Sequence, residues 1–308
     1  MSNKYWSDRE AAQLKHNIID EVAYSKEIEK IYDYVLDNIQ KEINTFYANY
    51  AKTEGISIAE ANKRVSQLDI KAYERKAAKY VADKTFTKEA NQEMRIYNAT
   101  MKINRLEMLK SEIGLAMVDG FDDLQQFFDQ ILTDRTLSEF ARQAGILGET
   151  ILDNANLADT IVNASFNNAT FSERIWVYQD ELRAELARLL KVGMLQGRNP
   201  RVLARELRKL FDASRLEAER LMRTELARVQ TEAQKQSYER YGYDQYVFIA
   251  EPTACPICKA LDDGKPKDVD KMEIGENAPP VHPFCRCSTA AYMDREETER
   301  LIKYSGRG

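Results

Sequence analysis

Not one proline occurs in the first 199 residues of this 308-residue chain, and the whole sequence holds only seven. Proline is the residue that most firmly ends a helix, so long helices with short connections are expected over that stretch. No segment approaches the 18 or so consecutive apolar residues of a membrane-crossing helix, which excludes an integral helical membrane protein. The opening MSNKYWSDRE lacks a basic segment followed by an apolar run, so the expectation is a chain made and kept in the cytoplasm. Excess positive charge is also missing: the formal charge is −5, against the overall pattern of a nucleic-acid binder. Histidine occurs twice and cysteine four times, with every cysteine after residue 250. In a reducing compartment, clustered thiols read as metal ligands before they read as disulfides.

What is present is a helical pattern. Hydrophobic residues make up 44% and charged residues 31%, which fits amphipathic helices and disfavours disorder. Ser7-Asp8-Arg9-Glu10 has the spacing of a capping box, and Ile28, Ile31, Val35, Ile39, Ile43 and Phe46 recur at three and four residues. They predict a long helix stopping near Gly55, with Ser57-Ile58-Ala59-Glu60 opening the next. A third stripe, Ile96, Ile103, Leu106, Ile113 and Met117, is expected to break at Asp119-Gly120, its methionine filling core.

Residues 133–171 look less regular, with Gly145, Gly148 and an asparagine-rich passage, and suggest short helices and loops at a domain boundary. Helical periodicity returns with Ile175, Leu182, Leu186, Leu189 and Leu190, and stops at Gly193 to Gly197. Asn199 then reads as an N-cap with Pro200 at the first helical position, and Ser214-Arg215-Leu216-Glu217 as a further capping box. That makes 172–242 a three-helix unit. Beyond Gly242, Tyr246 to Ala250 is strand-like, Ser288 to Met293 offers a partner strand, and the terminal DREETERLIKY reads as a short polar helix. The expected organisation is an N-terminal helical region (1–132), an irregular connection (133–171), a helical part (172–242) and a small Cys-rich β/α module (243–308). The fold class is mainly α: a long-helix body with a small, zinc-stabilised C-terminal α+β module.

Cys255-Pro256-Ile257-Cys258 has the two-residue spacing that aims two sulfurs at one ion from a tight turn, and Cys285-Arg286-Cys287 places two thiols on one face of an extended segment. His282, three residues before Cys285, is a fifth donor, so four thiolates or three thiolates and one imidazole both remain open. Soft ligands of this kind suit zinc in a closed structural site. A module of some 50 residues has little core, and a metal bond set worth on the order of 10 kcal/mol supplies what burial cannot. Catalysis is not called for: the cluster lacks the open position and general base of a hydrolytic zinc, and His16 reads as an ordinary helix-face residue.

Charge is segregated. From Arg183 to Arg240 there are fourteen basic residues against eight acidic ones. Arg201, Arg205 and Arg208 share one helix face above the apolar Leu203, Leu207 and Leu210, a stripe suited to phosphates or to an acidic partner, although solvated faces and local ion pairs explain much such charge. Arg223, in the dense RLMRTELARVQ stretch, is a further candidate contact or an organiser of the junction with the cysteine module.

In order and spacing, Arg223-Thr224-Glu225, the short β segment, Cys255-x-x-Cys258, Leu261-Asp262-Asp263-Gly264-Lys265 and His282-Pro283-Phe284-Cys285-Arg286-Cys287 resemble the Mu F-like minor head (head morphogenesis) proteins of tailed bacteriophages. The resemblance spans about residues 172–292. It implies a non-enzymatic head protein associated with the portal, and with capsid or scaffold proteins. It further implies a link to DNA packaging or delivery, and residence in the virion head interior after assembly in the host cytoplasm. Some relatives carry a toxin or transferase domain after this module; with about 20 residues after Cys287, none is expected here. The competing expectation is a zinc-module protein that binds or processes nucleic acid.

Overall fold

A computed structural model describes residues 2–51, 75, 78–79, 82, 87–91, 105–147, 154–195 and 200–292. Among the described residues four long helices dominate: α1 (Ser2–Ala51), α2 (Arg105–Leu147), α4 (Phe171–Leu195) and α5 (Pro200–Arg240), with the short α3 (Ala155–Val162) between the second and third. After them come β1 (Gln245–Ile249), α6 (Pro256–Leu261), β2 (Lys267–Asp268), a 3-10 turn (Val269–Lys271) and β3 (Ser288–Tyr292). The mainly helical architecture with a small C-terminal α+β module is thus the one expected. The Gly55 stop, the Ser57 box, the Asn199 cap, the 294–304 helix, and Ile96 and Ile103 lie outside the described residues, as do the side chains of Phe46 and Leu106.

The chain divides into two compact units. The second comprises Ser25–Phe127 and Ser172–Ala218. It buries the predicted stripe of α1 (Ile28, Val35, Ile39, Ile43) together with Ile113, Met117, Phe121 and Leu124 of α2, Leu182, Leu186 and Leu190 of α4, and Leu203 and Leu207 of α5. Tyr32 meets Phe121 and Phe211 edge-on at 5.7 and 6.2 Å, and its hydroxyl donates to the Ser214 carbonyl at 3.2 Å. Trp176 Nε1 donates to Gln125 at 2.6 Å, tying α4 to α2.

Two expected helix boundaries are absent here for packing reasons. Asp119-Gly120 does not break α2: a Cβ on Gly120 would collide with Val35 Cγ2, so the glycine permits close helix approach. Ser214 does not open a helix either, because α5 is continuous and Ser214 is the partner of buried Tyr32.

The first unit comprises Met1–Tyr24, Phe128–Phe171 and Glu219–Gly308. Ser7 is likewise interior to a helix, and its supposed box partner Glu10 is buried; Arg142 Nη1 donates to Glu10 at 2.7 Å, as does the Ser288 hydroxyl. The region expected to hold short helices and loops does contain the short α3, but its start belongs to the long α2, which runs to Leu147 and carries Gly145 in its interior. Consequently 172–242 holds two long helices rather than three.

The sheet has the order β2-β1-β3, antiparallel throughout, with Ile249 opposite Ser288 and Gln245 opposite both Tyr292 and Asp268. Both outer strands pair with the segment predicted as β. Tyr238 of α5 packs with Tyr246, Val269, Met272 and Ala291, which seats the sheet on the last turns of that helix. Gln234 fastens the same surface: its amide donates to Ser288 at 2.9 Å, and its carbonyl accepts from the Thr289 hydroxyl at 2.7 Å.

Candidate metal centre

Cys255 stands immediately before α6, with Pro256 at the first helical position, where a missing N–H costs nothing. The Lys259 N–H returns to the Cys255 carbonyl at 3.0 Å, closing the turn that holds Cys255 and Cys258 side by side. The following Leu261-Asp262-Asp263-Gly264-Lys265 fixes this turn to the sheet. Asp262 Oδ2 accepts the Ala250 N–H just past β1 at 3.1 Å, Asp263 accepts the Lys265 N–H at 3.1 Å, and Gly264 takes φ of +71°.

A second tight turn supplies the other ligands. Pro283 occupies the second position, Phe284 has φ of +65°, and the Cys285 N–H donates to the His282 carbonyl at 3.2 Å, the arrangement of a type II turn. A positive φ is unfavourable for an aromatic residue by about 1–2 kcal/mol. Contacts from α5 offset it: the Phe284 N–H reaches Thr224 Oγ1 at 3.4 Å, and the Arg223 guanidinium lies 5.3 Å from the ring centroid. Arg223 also forms an ion pair with Glu21 at 3.2 Å, and Arg286 donates to the same carboxylate at 2.6 Å. The Arg-Thr-Glu stretch does organise the junction with the cysteine module.

All five predicted donors converge. Cys258 is shared by two sets, Cys255-Cys258-His282 and Cys258-Cys285-Cys287, within each of which the ligand atoms lie within 4.8 Å of one another. His282 Nε2 is 3.3 Å from Cys255 Sγ and 3.2 Å from Cys258 Sγ, and Cys258 Sγ is 3.8 Å from Cys285 Sγ. His282 Nδ1 donates to the Pro283 carbonyl at 2.8 Å, which leaves the lone pair on Nε2, facing the thiols. Cys258, Cys285 and Cys287 are buried with Phe248 and Ala254, while Cys255 is half-buried. This cluster could hold a metal ion.

Electrostatics favour thiolates at two positions. The Cys258 N–H lowers the Cys255 thiol below its ordinary value, with help from Ile257 and His282. Cys285 is lowered to about 6, first by a hydrogen bond from Cys287, against the opposing effect of burial. Cys287 is raised in return, and burial pushes Cys258 up to about 12. Desolvation acts to lower His282, but the Pro283 carbonyl and the thiolates outweigh it and raise the imidazole.

The basic candidates separate. Arg205 and Arg208 are exposed on α5, with Arg208 Nη1 3.4 Å from Asp33, whereas Arg223 is engaged inside its unit as described. The Arg201 side chain lies outside the described residues. His16 is an exposed residue of α1. Sequence patterning missed Arg228. It is buried beside Glu225, with Nε to the carboxylate at 2.5 Å, and it caps α3 through the carbonyls of Ile161 and Val162 at 2.8 and 3.0 Å. Only its spacing of three from Glu225 hinted at this, a relation that usually marks a solvated pair.

With this geometry in hand, comparison with known proteins is informative. Residues 184–290 match the family model of Phage Mu protein F like protein. Over that segment the chain is similar to the Mu F-like phage proteins. The matched segment begins within α4 and ends in β3, so it takes in all of α5, both ligand turns and most of the sheet. The chain is also 27% identical over 150 residues to NAD(+)--arginine ADP-ribosyltransferase EFV of Enterococcus faecalis (strain ATCC 700802 / V583), covering 44% of this chain and 31% of that protein. It therefore spans about a third of the length of that relative. No solved structure matches. Among the described residues no helix is long and apolar enough to cross a membrane.

Proposed function

We propose that this chain is a minor head protein of a tailed bacteriophage. It associates with the portal and with capsid or scaffold proteins, acts in head morphogenesis and in DNA packaging or delivery, and resides in the virion head interior. The carrying observation is the match of 184–290 to Phage Mu protein F like protein, which coincides with the two ligand turns and the helix that holds them. In this reading the cluster holds a structural zinc ion. The donor set supports that choice, being thiols with one imidazole whose second nitrogen is already committed to a backbone carbonyl. The ion is a clasp and not a reaction centre: its surroundings are the apolar Phe248, Ala254 and Leu261. The activity in the name of the Enterococcus faecalis relative is not carried across, because the match covers less than a third of that protein.

Nucleic-acid contact through the exposed Arg205 and Arg208 is the second reading, favoured by the net positive charge of that stretch. Mass spectrometry of purified phage particles and procapsids, with co-expression of the portal, tests the main one. The chain should be present in a few copies per particle and should be retained on immobilised portal; its absence from both particles and procapsids would overturn the head-protein reading. Salt-sensitive DNA binding abolished by charge reversal at Arg205 and Arg208, without retention on the portal, would favour the second.

A further inference from the structure

Five donors surround a site that takes four, and the backbone discriminates between them. We propose that the ion is held by Cys255, Cys258, Cys285 and Nε2 of His282, with Cys287 outside the coordination sphere. The assignment rests on reading the cluster as a metal site.

The argument starts from the two turns. Cys255 and Cys258 stand three residues apart on the turn opening α6, and His282 and Cys285 stand three residues apart on the type II turn closed by the Cys285 N–H. A tetrahedral structural site is most simply built from two such turns, each giving ligands at positions i and i+3, as in the paired C-x-x-C arrangement of zinc ribbons. Here the second turn reads H-x-x-C. Cys287 lies two residues beyond it, immediately before β3, where Ser288 pairs with Ile249, so its position is set by the sheet and not by the turn.

The separations that join His282 to the first turn and Cys285 to Cys258 agree with this set. Cys285 lies within 4.8 Å of Cys258 and Cys287 and not of Cys255 and His282, so loading the ion would draw Cys285 inward. Tetrahedral zinc with bonds of about 2.3 Å to sulfur and about 2.0 Å to nitrogen requires sulfur–sulfur edges of about 3.8 Å and sulfur–nitrogen edges of about 3.5 Å. The Cys258–Cys285 separation is 3.8 Å, and the two sulfur–nitrogen separations are 3.3 and 3.2 Å. The imidazole is also oriented for coordination, since with Nδ1–H held by Pro283 only Nε2 can accept, and it points between the two sulfurs of the first turn. Cys285 and Cys287 both approach Cys258, so proximity does not separate them; the turn does. Phe284 shows how strongly that turn is imposed, since it keeps φ at +65° and is held there by Thr224 and Arg223.

The test uses the full chain, purified under reducing, chelator-free conditions, with metal content measured and X-ray absorption recorded at the zinc edge. A first shell of three sulfurs and one nitrogen is expected, unchanged in Cys287→Ser, which should keep one ion per chain. Cys285→Ser and His282→Ala should each lose most of the ion or alter the cobalt-substituted absorption spectrum, with helical circular dichroism retained. A four-sulfur shell in the unmutated chain would overturn the assignment while leaving the metal reading intact. So would metal lost from Cys287→Ser but kept in His282→Ala. Absence of any metal from the unmutated chain would overturn both.

Discussion

Replacing Gly120 by alanine should destabilise the protein, although the same exchange at Gly145 should stabilise it. In a helix interior alanine is better than glycine by about 1 kcal/mol, because glycine loses more backbone freedom on folding. At Gly145 an added methyl meets nothing within 4 Å, so most of that gain should appear. At Gly120 the methyl would collide with Cγ2 of Val35, a side chain only 1% exposed and held in the core of its unit. Overpacking of this kind costs about 1–3 kcal/mol, so the net change should lie between about 0 and 2 kcal/mol destabilising. Val35→Ala removes the obstacle; the double variant should be more stable than the sum of the single changes predicts, by about 1–2 kcal/mol. Urea denaturation of the four variants, read as a double-mutant cycle, measures this. A Gly120→Ala protein as stabilised as Gly145→Ala would refute the idea that this glycine exists for close packing.

Arg228→Met should cost about 3 kcal/mol in urea denaturation, because it withdraws a charge partner from buried Glu225 and both donors from the end of α3; adding Glu225→Leu should recover part of the loss. Burial raises the Glu10 carboxyl above its ordinary value despite Arg142, so the folded protein holds that proton more tightly than the unfolded chain. The contribution is therefore full below about pH 4.5 and is lost as pH rises through the folded value, a slope that Glu10→Gln should flatten in a stability–pH series. At Phe284 the ordinary preference should invert: Phe284→Gly should loosen the 282–285 turn less than Phe284→Ala does, by about 1 kcal/mol in hydrogen exchange, since only glycine relieves the positive φ.

Much of the architecture was legible because periodicity reports burial. The stripe from Ile28 to Ile43, the leucines of α4 and α5 and both longer strands lie where their patterns place them. Punctuation was less legible. Ser7 and Ser214 have the spacing of helix starts, yet Ser214 and the Glu10 of the first box serve buried contacts with Tyr32 and Arg142, which no local pattern announces. Gly120 misleads for the same reason: a glycine that stops a helix and one that admits a neighbouring helix are identical in sequence. At the candidate site the thiols and His282 were visible through their spacing, and the structure brings all five donors together. Their support was visible only in part: the Arg223-Thr224-Glu225 stretch was read as an organiser of the junction, but Glu21, which holds Arg223 and Arg286 from α1, belongs to no motif.

The central claim, that a metal ion clasps the C-terminal module, is tested most directly by native mass spectrometry combined with hydrogen exchange, before and after chelation. The protein should carry the mass of one zinc ion, and its removal should raise exchange across 245–292 while α1, α2, α4 and most of α5 keep their protection. A metal-free protein whose 245–292 segment is as protected as its helices would contradict the claim.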